Sequence, residues 1–322
     1  MSFVKILFFG FALFFSNNLF SSKKELLVYS ARKEHLIKKV FQMYQKERGV
    51  TVKYVTGKAG MLIEKLKEEG DRSPADLLLT VDGGNLWYAA DKELFTALSF
   101  KKLKEIPDYL KDVENRWVGL SMRARILVYN TGLLSSSSLS SYEDLSLPKW
   151  KGQLCLRTSK KVYNQSLVAM LINQHGRKKA KQIVDGWVKN TVDIFPSDSL
   201  VLKAVASGQC KVGIVNSYYY GRLMKKRPFL PLKIFWPNQK SYGAHVNVSG
   251  VGILKSSKNK KLAENFLQWL LTPRIQKIFS ELNLEYPVHP KGEINQEVLK
   301  WGLFKANNSF NLSLLGVLQK DA

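Results

Sequence analysis

Three consecutive tyrosines, Tyr218-Tyr219-Tyr220, follow a short apolar run, Val212-Gly213-Ile214-Val215, and an Asn216-Ser217 pair. The run has the composition of a buried strand, and Ser217 stands where a helix N-cap is expected. The phenols then open a helix at the carboxyl end of a strand, the edge at which open α/β sheets place their ligands. A phenol ring is apolar, but its oxygen can ionise to a hard anionic donor. Free tyrosine titrates near pH ~10, and a trivalent cation drives the proton off at lower pH. Two or three phenolates nearly neutralise a ferric ion and so reduce the cost of burying its charge. Single tyrosines are ordinarily core or interface residues. Three in a row on a helix differ by ~100° per step and cannot all face the core. One of the three is therefore expected to pack, and two to project.

Two further strand-to-helix junctions carry polar chemistry. Ser30-Ala31-Arg32-Lys33-Glu34-His35 follows a strand expected at 26–30, and Arg157 to Asn164, including Tyr163, follows one at 153–156. If the junctions face each other across a cleft, His35 or Glu34 would add a donor from the opposite side. Arg32 and Arg123 cannot ligate a metal, but they can hold a small anion such as carbonate through forked hydrogen bonds. The plainer readings are a salt bridge for Arg222 and, for His35, a solvated helix face shared with Lys38 and Lys39. Asp76 and Asp82 are accounted for by capping or turn formation, and His245 and His289 take no role. The chain has no glycine-rich phosphate loop, His-Glu-x-x-His or nucleophile elbow, and no enzyme is expected.

These junctions need a scaffold of alternating strands and helices. Residues 26–29 read as a strand. Leu36, Ile37, Val40, Phe41 and Tyr44 then recur at helical spacing up to Gly49. A strand at 50–55, a helix at 61–67 and a strand at 75–81 complete the first series. A second series runs strand 153–156, helices 163–174 and 178–189, strand 192–195, helix 198–207, strand 211–215 and helix 217–226. Two apolar segments, 126–129 and 246–254, read as connectors that cross between the series. Helices at 259–271 and 273–282 and a polar tail from Lys291 follow. The expected fold class is α/β, with two lobes built on mixed, mostly parallel sheets and joined by crossing hinge strands. Residues 23–125 and 246–290 form one lobe, and 126–245 and 291–322 the other.

The chain has 322 residues, enough for two lobes, and 45% are hydrophobic, enough to bury a core. Fifty Lys+Arg against 26 Asp+Glu give a net charge of +24. The basic residues are spread in pairs, not in a stripe interleaved with aromatics, so no nucleic-acid partner is expected. Residues 1–22 have the pattern of a signal peptide: Lys5, an apolar run from Ile6 to Phe15 too short to span a bilayer, then serines at 21 and 22. No cysteine lies near this run, so the protein is not expected to be a lipoprotein. Export to the periplasm permits disulfides. Cys155 and Cys210 sit in strand-like runs and would bridge if those strands are neighbours.

Six segments in order give a more specific pattern: Ser73 to Asp82, Arg123-Ala124-Arg125, Tyr163 to Leu167, Asn216 to Tyr220, Asn247-Val248-Ser249-Gly250 and Glu285-Tyr286-Pro287-Val288. Together they resemble the periplasmic ferric-ion-binding proteins of bacterial ABC transporters, a transferrin-like branch of the type II periplasmic-binding fold. The resemblance covers nearly the whole mature chain. It implies Tyr218, Tyr219 and Tyr163 as Fe(3+) ligands, Arg32 and Arg123 as holders of carbonate or another synergistic anion, and Arg222 as a support behind the phenolates. It implies His35 as the first-lobe ligand, with Glu34 in reserve, although Lys33 beside them departs from the family pattern. Some members carry cysteines at both the 155 and 210 positions, which favours a Cys155–Cys210 bridge. The implied protein is a monomer that closes its lobes on a ferric ion or ferric chelate and delivers it to an inner-membrane ABC permease. The competing expectations are a same-fold carrier of an organic or oxyanion solute, and a basic exported protein that binds membranes or polyanions.

Overall fold

The computed structural model describes residues 24–322; the expected signal peptide, 1–22, lies outside them. In chain order the elements are β1 (Glu25–Ser30), α1 (Lys38–Arg48), β2 (Thr51–Thr56), α2 (Ala59–Glu69), β3 (Leu77–Val81), α3 (Gly83–Asp91) and β4 (Val118–Asn130). Next come β5 (Leu154–Arg157), α4 (Val162–Asn190), β6 (Thr191–Phe195), α5 (Asp198–Ser207), β7 (Val212–Asn216), α6 (Ser217–Lys226) and β8 (Leu232–Phe235). The chain ends with β9 (Val246–Ile253), α7 (Lys260–Leu270), α8 (Pro273–Glu281), β10 (Tyr286–Pro287), α9 (Gln296–Leu299) and α10 (Leu315–Gln319).

The strands lie in the order β2-β1-β3-β9-β4-β7-β5-β6, with β8 and β10 also paired to β4. Parallel pairs occupy the two ends, β1 with β2 and β3, and β5 with β6 and β7. The centre is antiparallel, where β4 and β9 run against their neighbours. One strand belongs to both halves. The first part of β4, Val118 to Ala124, pairs with β9, and Arg125 to Asn130 pairs with β7 and β8. Twelve of its thirteen residues are buried, all but Met122. A strand covered on both faces normally reads as one apolar run, but buried Ser121, Arg123 and Arg125 interrupt this one, which is why its sequence displays only the apolar patch 126–129.

Local signals placed the helices well. α5 and α6 occupy the expected residues. α4 divides at Gly176, whose φ of 75° a helix cannot accommodate, so it is the expected pair of helices end to end. Ser217 is not the cap of α6. The helix begins directly from the strand, so Asn216 takes the N-cap position and Ser217 is the first helical residue. Its Oγ instead accepts from the Ala124 amide at 3.4 Å. The tail crosses both halves. Trp301 packs edge-on against Tyr220, while α10 docks on α3, where a Cβ at Gly84 would fall 2.1 Å from Gln319 Oε1. Gln319 Nε2 donates to Asp82 Oδ1 (3.0 Å) and to Ser166 Oγ (2.9 Å).

Cys155, in β5, and Cys210, two residues before β7, form a disulfide with Cα atoms 5.8 Å apart and a sequence separation of 55. Closing a loop of that length in the unfolded chain is worth about 3–4 kcal/mol. The double variant Cys155→Ser/Cys210→Ser should lose about that much in urea unfolding; a loss below ~1 kcal/mol would contradict this. His245 lies buried where β9 begins, and its carbonyl accepts from the Arg125 amide at 2.9 Å. Burial first, and then the Arg125 and Arg123 cations, pull its pKa down to about 3. The unfolded chain takes that proton near pH ~6.5, so this stability is full above that pH and is lost as pH falls toward 3. His245→Gln should therefore show a shallower acid slope of stability than wild type over this window. Parallel slopes would show that His245 titrates normally in the fold.

Candidate metal centre

β5 and β7 run parallel and adjacent, so their carboxyl ends lie side by side. The helices that follow, α4 and α6, therefore begin next to each other. Their first turns carry Tyr163 and the pair Tyr218 and Tyr219 into one cleft of about 220 Å³. The Tyr218 and Tyr219 rings lie 4.4 Å apart at 33°. Tyr163 is flanked by two guanidinium groups, Arg157 at 5.3 Å and Arg123 at 5.6 Å from the ring centroid. Tyr220 turns away to pack on Trp301, and its hydroxyl donates to the Leu232 carbonyl at 3.4 Å. Larger hollows exist, one of about 460 Å³ around Trp269. The donor set, not size, singles out this cleft.

Burial pushes the Tyr218 phenol well above its ordinary range, and the neighbouring oxygens of Tyr163 and Tyr219 push it further; Arg123 opposes them. Burial also raises Tyr163, again against Arg123. Both phenols are thus neutral at pH 7 unless a cation compensates them. Among the described residues no group of three or more His, Cys, Asp or Glu side chains could hold a metal. A metal in this cleft would be held by phenol oxygens, hard donors that suit a highly charged cation.

The opposite wall supplies cations. Arg32 is buried, with its guanidinium 4.5 Å above the Phe279 ring. Its Nη1 donates to Ser121 Oγ (2.9 Å) and Glu285 Oε2 (3.0 Å), while Nε and Nη2 have no protein partner among the described residues. Arg123 Nη1 donates to Ser249 Oγ at 3.4 Å, and its Nη2 is likewise unpartnered. Arg222 lies 5.2 Å from the Tyr218 ring and donates to Asn283 Oδ1. It therefore lines the cleft beside the phenols and reaches its other side. Glu285 is no free donor. Burial works to raise its pKa, but Arg32, Arg123 and the Ser121 hydroxyl together hold it below the usual range.

His35 and Glu34, the expected donors of the first half, do not join the cleft. Residues Glu34–Leu36 form a 3-10 turn, whose three-residue repeat puts Lys33 and Leu36 on the cleft side. His35 is exposed, and Glu34 is held at the surface by Lys38 Nζ (3.0 Å) and the Tyr54 hydroxyl (2.9 Å). Glu285, Asn283 and Ser249 were without roles on sequence grounds. Glu285 is 253 residues from its partner Arg32, and only the fold reveals such a pair.

The profile of the bacterial extracellular solute-binding protein family matches residues 72–308. Iron uptake protein A1 of Synechocystis is 36% identical over 302 residues, covering 91% of this chain and 84% of that protein. The Trichodesmium protein IdiA (FutA), solved in complex with iron and citrate ligands, is 39% identical with a TM-score of 0.89, covering 92% of this chain and 96% of that one. The ferric binding protein from Campylobacter jejuni is 33% identical with a TM-score of 0.84, over 92% and 96% of the two chains. The architecture is accordingly the type II periplasmic-binding fold. The chain belongs to the bacterial extracellular solute-binding protein family.

Proposed function

We propose that this protein is the periplasmic carrier of an iron importer. It captures ferric iron in the tyrosine cleft, closes its two lobes about β4 and β9, and delivers the ion as a monomer to an inner-membrane ABC permease. It catalyses no reaction. The observation that carries the reading is the convergence of Tyr163, Tyr218 and Tyr219 from two adjacent helix starts onto one cleft. Relatives named for iron uptake and a similar structure holding iron and citrate support it.

The lobe built around β1 lends cations instead of ligands. Three phenolates cancel the charge of a ferric ion. Arg32, Lys33, Arg123 and Arg222 then face a single carboxylate, Glu285, which Arg32 already neutralises. The open coordination positions are filled by an anion bearing several oxygens, such as carbonate or citrate, held by the unpartnered guanidinium donors of Arg32 and Arg123. The net charge of +24 acts the same way at longer range, since it repels a bare cation and attracts an anionic ferric chelate. The same donors also suit an oxyanion without iron, but that complex would be colourless, whereas ferric phenolate absorbs visible light.

Ferric titrations in carbonate-free buffer, then with added carbonate, citrate or phosphate, should show affinity rising at least ~10-fold with a suitable anion; no anion dependence would overturn the chelate reading. Tyr219→Phe should weaken iron binding by more than the 10–100-fold typical of losing an outer partner, about 100-fold or greater, and bleach the visible band. Unchanged affinity and colour would overturn the ligand assignment. The phenols must lose protons to bind, so the wild type should release about three protons per ferric ion at pH 7, measured by calorimetry in buffers of different ionisation enthalpy. Affinity should fall as pH drops, and release of one proton or none would rule out three phenolates.

A further inference from the structure

We propose that Arg125 is the positioning residue that holds the two tyrosine-bearing helix starts in register. This role rests on the iron-binding reading of the cleft. Arg125 lies on β4 at the step where that strand leaves β9 and pairs with β7, directly opposite Asn216. Its side chain is among the largest fully buried in the protein. Nη2 donates to Asn164 Oδ1 at 2.5 Å and to the Ile214 carbonyl at 3.1 Å. Nη1 donates to Asp198 Oδ2 at 3.2 Å and reaches Asn216 Oδ1 at 3.4 Å.

The three side-chain partners, Asn164, Asp198 and Asn216, each stand at the start of a helix. Asn164 follows Tyr163 in the first turn of α4, and its Nδ2 donates back to the Arg157 carbonyl at the end of β5 (2.7 Å). Asp198 is the first residue of α5, and Arg157 Nη1 lies 3.2 Å from it on the other side. Asn216 is the N-cap of α6, with Tyr218 and Tyr219 next in the helix. Neither α4 nor α6 has a side-chain hydrogen bond at its own N-cap. One guanidinium fork therefore spans two helix starts that lack local caps, and those two carry the three phenols.

The fork matters as much as the charge. Asp198 balances Arg125 electrostatically, and a lysine would keep that balance. A lysine has no planar fork, however, and cannot reach Asn164 and Asn216 together. A metal constellation must be held to within ~0.5 Å for its donors to converge. A residue of bulk stability alone would change melting without changing the spectrum of the bound metal.

The test is a ferric titration, followed by visible absorbance, of wild type, Arg125→Lys, Tyr163→Phe and the double variant, with melting of each iron-free protein. Arg125→Lys should bind iron ~10–100-fold more weakly, in the range for outer partners of a metal site, and its band should be shifted and weaker per bound iron. The double variant should lose less than the product of the single losses, because both changes act through Tyr163. Wild-type affinity and colour in Arg125→Lys would overturn the proposal, as would a loss additive with Tyr163→Phe and no spectral change. Should Arg125→Lys fail to fold, Asn164→Ala, which removes no charge, must show the same shifted band, and an unshifted band there would equally overturn it. A wild type that binds iron without any phenolate band would defeat the tyrosine reading itself, and Arg125 would then have nothing to position.

Discussion

Phenols buried side by side can stay neutral, or they can ionise together if a compensating cation is present. Without one they do not ionise at low cost, because burial opposes each ionisation and every further phenolate repels those already formed. Tyr163 and Tyr218 are in that position: burial pushes both upward, Tyr219 adds to it, and Arg123 pulls both down, with a hydrogen bond from Tyr218 also easing Tyr163. The cleft is thus a switch between two electrostatic states. A trivalent cation supplies the charge that lets the second state exist, and a less charged ion supplies correspondingly less. The preference for a hard, highly charged ion follows from burial as well as from the donor atoms.

The topology makes this burial affordable in conformational terms. Parallel pairing of β5 with β7 sets two helix starts side by side, so the three phenols are assembled before any ligand arrives. The buried arginines then divide the work by position along β4. Arg123 points into the cleft beside Ser249, and Arg125, two residues on, ties the helix starts behind it. One continuous strand therefore touches both walls. Movement of one half relative to the other about β4 changes what Arg123 faces while leaving the fork of Arg125 within its own half. The buried bond from Ser166 to Asp82 (2.6 Å), with Gln319 bonded to both, adds a second link between the walls at the flank of the cleft.

Much of this was legible in the sequence where the signal is local. The tyrosine run, the strand before it, the break at Gly176 and the helix at 198–207 are all written in neighbouring residues. Helical geometry required one of the three tyrosines to pack, and the family resemblance pointed to Tyr220. What depended on distant partners could not be read. Glu285 looks like an ordinary surface acid until Arg32 and Ser121 are placed beside it. The full length of β4 was hidden because buried Ser121, Arg123 and Arg125 break its apolar run. His35 lies off the cleft for a subtler reason: its helical-looking surroundings begin with a 3-10 turn, and that change of period leaves it in solvent and Lys33 at the cleft.

The proposed site is asymmetric, with ligands from one half and cations with an exogenous anion from the other. A crystal structure of the iron-loaded protein, with the metal located by its anomalous scattering, tests it most directly. Iron should be bound to the phenolate oxygens of Tyr163, Tyr218 and Tyr219, with its remaining positions filled by oxygens of a small anion that also contacts Arg32 or Arg123. Iron coordinated by His35 or Glu34, or bound away from the three tyrosines, would contradict it.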